Sequence, residues 1–126
     1  MTFPSIRVAG AAVALFALAA ASVPQAANAH AVLQSAQPSV GGSVESSPSA
    51  IVLEFSEGVE ARYSHVSVTG PGGAVALSRP SNGGGKSTLV VKLSQQLKPG
   101  HYQVQWSVVS VDTHKTQGSF SFDVQH

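Results

Sequence analysis

Residues 100–124 read G-H-Y-Q-V-Q-W-S-V-V-S-V-D-T-H-K-T-Q-G-S-F-S-F-D-V. Tyr102, Val104, Trp106 and Val108 alternate with Gln103, Gln105 and Ser107. After the D-T-H tract, Phe120, Phe122 and Val124 alternate with Ser119, Ser121 and Asp123. Successive side chains on a strand point to opposite faces, so this alternation marks strands with one buried face. The spacing predicts a long strand over 102–109 and another from Phe120, with Asp112, Thr113 and His114 between them.

The same period recurs through the chain. Ile51, Leu53 and Phe55 alternate with Val52 and Glu54; Val66 and Val68 with His65 and Ser67; Leu89, Val91 and Leu93 with Val90 and Lys92. Ala31–Ser35 and Ala74–Leu77 are expected to add two shorter strands. Gly41-Gly42, Ser47-Pro48, Gly70-Pro71-Gly72-Gly73, Asn82-Gly83-Gly84-Gly85 and Pro99-Gly100 supply turn chemistry between the runs. Ser81–Gly85 is the stretch expected to be flexible. No segment has a helical period. About seven short strands with turns between them predict an all-β domain, an antiparallel sandwich or barrel.

The first 29 residues read differently. Arg7 is their only charge, Val8 to Val23 is almost wholly apolar, and Ala27-Asn28-Ala29 places small residues where a signal peptidase reads. A positive start, an apolar middle and an A-x-A end predict a secretory signal peptide over 1–29, cut after Ala29. The apolar run is short of the roughly 20 residues that span a bilayer, which argues against a retained anchor. A cut after Ala27 is the alternative site. The mature chain, 30–126, is then a single exported domain that begins at His30.

With Arg7 removed, the remaining Lys and Arg balance the 6 Asp and Glu of the chain. No basic run stands out, so nucleic-acid binding has no electrostatic footprint. The chain has no Cys and its one Met is Met1. Cysteine nucleophiles, thiolate zinc sites, blue-copper centres and thioether ligation are thereby excluded from the mature chain. A small exported domain without disulfides is held by its core, or by its core and a metal.

The chain has 5 histidines, His30, His65, His101, His114 and His126. In extended backbone, residues i and i+2 point the same way, so Asp112 and His114 are expected to converge. Alone, that pair reads equally as a metal bite, an acid–base dyad or a loop hydrogen bond. His30 changes the weighting. As a first residue it offers an amine of ordinary pKa near ~7.7–8.0 beside its imidazole, and the two can close a chelate on one metal. Three nitrogens and one carboxylate oxygen suit Cu(II) better than Ni(II), tetrahedral Zn(II), or the oxygen-seeking Ca(II) and Mg(II). Glu57, in F-S-E-G-V, is a candidate outer or axial oxygen; its plainer reading is an exposed loop glutamate. His65 reads as a surface residue, His101 as a turn or strand-start residue, His126 as a fraying end, Lys115 as a solvated loop charge, and Trp106 as core near the site.

These stretches together resemble the CopC family of periplasmic copper-resistance proteins: the start H-A-V-L-Q-S-A-Q-P, the segment I-V-L-E-F-S-E-G-V, the run L-K-P-G-H-Y-Q-V-Q-W-S-V-V-S and the tract D-T-H-K-T-Q-G-S-F-S-F. The likeness covers essentially all of 30–126. It implies a small Greek-key, cupredoxin-like β-barrel that binds one Cu(II) per chain through His30, Asp112 and His114, with Glu57 nearby. It also implies a monomeric periplasmic protein for copper resistance or homeostasis, without catalytic residues, working beside a CopD-like inner-membrane transporter. Members with a Met-rich loop hold Cu(I) at a second site; here the matching stretch is V-T-G-P-G-G-A-V-A-L, and no second site is expected. Two other readings remain at this stage: a metal-free exported sandwich that serves interaction, and a copper monooxygenase built on an N-terminal histidine. Four protein ligands would leave the latter no open position for oxygen.

Overall fold

In the computed structural model, residues 30–126 are described; the leader expected at 1–29 and its cut after Ala29 lie outside them. Strands β1 (Leu33–Gln37), β2 (Ser43–Val44), β3 (Ala50–Phe55), β4 (His65–Gly70), β5 (Gly73–Ala74), β6 (Thr88–Lys92), β7 (Gly100–Val109) and β8 (Lys115–Val124) follow one another, with a single 3-10 turn at Ala61–Tyr63. The alternating residues of 100–124 become the β7–β8 hairpin, which is in register from Gly100↔Val124 to Val109↔Lys115. It forms the middle of a five-stranded sheet of order β2-β8-β7-β4-β5, and β1-β3-β6 form a second sheet of three strands. The chain changes sheet between β1 and β2, β2 and β3, β3 and β4, β5 and β6, and β6 and β7, a Greek-key habit.

The inward phase of each strand meets in one core. Ile51, Leu53, Leu89, Val104 and Val108 are 0% exposed, and Phe55, Val68, Val91, Tyr102, Phe122 and Val124 are nearly as deep. Each large apolar side chain buried this way stabilises the fold by ~1.5–3 kcal/mol. In a chain without cysteine, that burial is what holds the sheets together. Phe55 of one sheet meets Trp106 of the other edge-on, centroids 5.1 Å apart. Tyr102 stacks on Phe122 at 5.5 Å, and its hydroxyl donates to the Lys98 carbonyl at 2.6 Å. Gly118 lies opposite Trp106 in the hairpin. A Cβ there would stand 2.6 Å from Trp106 Cζ2, so the missing side chain is what admits the indole.

Several expectations need correction. The two sheets face each other as a sandwich and do not close into a barrel. Among the described residues eight strands form, in keeping with the about seven expected, and the short Ser43–Val44 strand pairs with β8 in parallel rather than antiparallel fashion. The first strand is Leu33–Gln37 rather than Ala31–Ser35, with an irregular register between Leu33 and Ser35. Only Ala74 of the expected Ala74–Leu77 strand pairs continuously, while Leu77 makes an isolated bridge to Leu93. Strand β8 starts at Lys115 rather than Phe120, since pairing with β7 persists through Gly118, where alternation is invisible. The Ser81–Gly85 stretch is bonded: Ser81 exchanges both backbone hydrogen bonds with Val90, and Asn82 Nδ2 donates to the Val59 and Thr88 carbonyls at 3.1 and 3.0 Å. The last residue is also tied, its N–H donating to the Glu45 carbonyl at 2.9 Å.

Candidate metal centre

The β7–β8 hairpin turns through residues 110–114. The Ser110 N–H donates to the His114 carbonyl, and the Thr113 N–H to the Ser110 carbonyl, each at 2.8 Å. Thr113 sits at φ +74°, in the left-handed region. That conformation costs a side-chain-bearing residue ~1–2 kcal/mol, and a β-branched one is rarely found there. The reversal brings the residues on either side together, with His114 Nδ1 3.3 Å from Asp112 Oδ1. The two do converge, but through a tight turn rather than the extended backbone the sequence suggested.

His30 arrives from the other end of the chain on a short strap. Ala31 is 1% exposed, and its carbonyl accepts from Thr116 Oγ1 at 2.9 Å. The Val32 N–H donates to Ser56 Oγ at 2.9 Å, and the Ser56 N–H returns a bond to the Val32 carbonyl at 2.9 Å. These ties leave His30 exposed beside the hairpin turn, its ring centroid 4.8 Å from that of His114 and tilted 51° to it. The sequence-nominated His30, Asp112 and His114 are therefore neighbours in space. Among the described residues, no three His, Asp or Glu side chains stand as a ready-made metal cage. What is assembled is a carboxylate–imidazole pair with a second imidazole alongside, a donor set whose nitrogens and oxygen fit Cu(II).

The half-buried Glu57 occupies the segment between strap and turn. Its neighbour Ser56 bonds Val32, and the Gly58 carbonyl accepts from the Val111 N–H at 3.0 Å. The ion pairs among the described residues join His114 to Asp112 and His101 to Asp123, and neither includes Glu57. Asp112 and His114 are open to solvent, with side chains 35% and 53% exposed, and Val32 and Val111 present exposed apolar surface on either side.

The Asp112 carboxyl is held below the usual aspartate range. The Ser110 hydroxyl that donates to it is the largest cause; partial loss of water opposes the shift, and the His114 N–H groups and charge add to it. Ser110 is the residue the sequence reading missed. It is 0% exposed and follows Tyr102, Val104, Trp106 and Val108 on the inward phase of β7. A hydroxyl where that phase calls for an apolar side chain was the available signal.

The remaining histidines lie elsewhere. His65 is exposed at the start of β4. His101 lies in β7 opposite Asp123, at the far end of the hairpin, with its Nδ1 2.7 Å from Asp123 Oδ1. Lys115, expected in the loop, is the exposed first residue of β8.

Residues 33–125 match the CopC domain family. The chain is 43% identical over 99 residues to Protein YobA of Escherichia coli strain K12, covering 77% of this chain and 80% of that one. It is 37% identical over 120 residues to copper resistance protein C of Pseudomonas syringae pv. tomato, covering 90% and 94% of the two chains. Among solved structures it is similar to PcoC, a methionine-rich copper resistance protein from Escherichia coli. The TM-score there is 0.71 at 31% identity, over 77% of this chain and 100% of that one. It is also similar to CopC from Methylosinus trichosporium OB3b, with TM-score 0.69 at 30% identity, over 76% and 94% of the chains.

Proposed function

From the premise that this chain belongs to the CopC family, we propose that it is a periplasmic Cu(II)-binding protein that buffers or carries copper for resistance or homeostasis. One copper per chain is bound by His30, through its amine and ring, and by Asp112 and His114. Glu57 is the candidate outer or axial oxygen. The observation that carries this reading is the meeting of two distant segments, with the His30 ring 4.8 Å from His114 and His114 Nδ1 3.3 Å from Asp112.

In this reading the chain binds and releases its cargo without transforming it. Cutting after Ala29 is part of building the site, because until then the His30 nitrogen is locked in a peptide bond. The exposure of the pair suits handover to a partner, for which a CopD-like inner-membrane protein is the proposed recipient. A thioether Cu(I) site has no donors after residue 29, since Met1 is the only Met.

The test is a copper titration, against a competing chelator, of protein beginning at His30 and of protein with one extra residue ahead of it. The extension is expected to weaken Cu(II) binding by about tenfold or more, ~1.4 kcal/mol or greater. Equal affinity would remove the amine from the ligand set and sink the reading. Binding by both should weaken toward acid pH, because amine, imidazole and carboxylate must shed protons to bind.

A further inference from the structure

We propose that Ser110 is the positioning residue of the metal site, fixing Asp112 and His114 before any metal arrives; this rests on the copper reading above. Among the described residues Ser110 is one of two polar residues buried in the sandwich, at 0% exposure. A buried hydroxyl costs stability unless it is bonded, so its partners reveal its role. All of them lie in the turn. Ser110 Oγ donates to Asp112 Oδ1 and lies 3.1 Å from the His114 carbonyl. The His114 N–H donates back to Oγ at 3.2 Å. Ser110's own N–H and carbonyl hold His114 and Thr113.

A hydroxyl has one hydrogen and two lone pairs. The hydrogen goes to the charged carboxylate, the stronger acceptor, and a lone pair takes the His114 N–H. One side chain thus sets the orientation of one candidate ligand and the backbone of the other. The backbone carbonyl of the same residue accepts from the Thr113 N–H and braces Thr113 in its left-handed conformation. The core fixes the serine in turn, because it continues the inward face of β7 and bridges to Val59. The rigidity of the sandwich is in this way passed to the exposed Asp112 carboxylate and to the backbone that carries the His114 ring.

The test compares the wild type with Ser110→Ala and Ser110→Thr, first without metal. Backbone order at residues 111–114 is measured by NMR relaxation, where ~0.85 marks rigid and below ~0.6 flexible backbone. The wild type and Ser110→Thr are expected near the first value and Ser110→Ala near the second. Copper titration and EPR follow. Ser110→Ala is expected to lose about 10–100-fold in affinity, the usual effect of removing a ligand's support, and to give a mixture of Cu(II) spectra in place of one. An ordered turn in Ser110→Ala overturns the proposal, as does a loosened turn with unchanged affinity, or a Thr variant as loose as the Ala variant. Asp112→Ala and His114→Ala are titrated alongside. If both bind copper like the wild type, the copper reading fails through its ligands, whatever the loop order shows.

Discussion

A single carboxylate records how the turn is built. Asp112 is kept ionised by the Ser110 hydroxyl and by His114, against partial shielding from water. A carboxyl whose folded value is depressed favours the folded state above the ordinary aspartate range, and loses that contribution as pH falls through the folded value. Stability should therefore decline as the metal-free protein is acidified through the carboxylate range. Asp112→Asn should decline less steeply there while matching the wild type's slope near neutrality. Urea unfolding across that range checks this, and parallel acid limbs for the two proteins would contradict it. At this scale the sequence named the right neighbours for a partly wrong reason. The i, i+2 argument assumed extended backbone, whereas Thr113 at φ +74° makes the reversal. No propensity places a threonine there; the closing hydrogen bonds of the hairpin do.

The strands follow from alternation where apolar and polar residues take turns, as over most of β7 (Gly100–Val109). They are hidden where a residue breaks the pattern for a packing reason. Gly118 interrupts the rhythm of β8 because the indole of Trp106 needs its space, so half the strand went unread. Gly118→Ala would push a Cβ to 2.6 Å from Trp106 Cζ2. Overpacking of this kind costs ~1–3 kcal/mol. Denaturant unfolding should show that loss, with a shifted emission from the chain's only tryptophan. A variant as stable as the wild type would mean that the indole moves aside freely. Two-residue elements such as β2 (Ser43–Val44) have no period of their own. They exist because a neighbouring strand offers them an edge, β8 for β2 and β4 for β5 (Gly73–Ala74), which is a property of the assembled sheet. The site spans both cases: the Asp112–His114 pair is local and legible, whereas the nearness of His30 depends on the strap bonds to Thr116 and Ser56.

Across the whole molecule, stability rests on one apolar core without covalent staples, because the chain has no cysteine. Reducing agents should leave the unfolding midpoint unchanged, whereas a bound ion that prefers the folded chain should raise it. At about 100 times its Kd such an ion adds ~2.7 kcal/mol, a rise on the order of 10 °C for a domain of this size. Cu(II) should give that rise with protein beginning at His30, and much less with protein carrying an extra leading residue. Differential scanning calorimetry reads both, and equal shifts would contradict the amine's role. The strap carries one more consequence. An aminopeptidase must draw several residues of extended, unbonded chain into its cleft. Here Ala31 is buried, its carbonyl is held by Thr116, and Val32 is locked to Ser56. A chain that starts at His30 would thus be armoured against trimming from its front end.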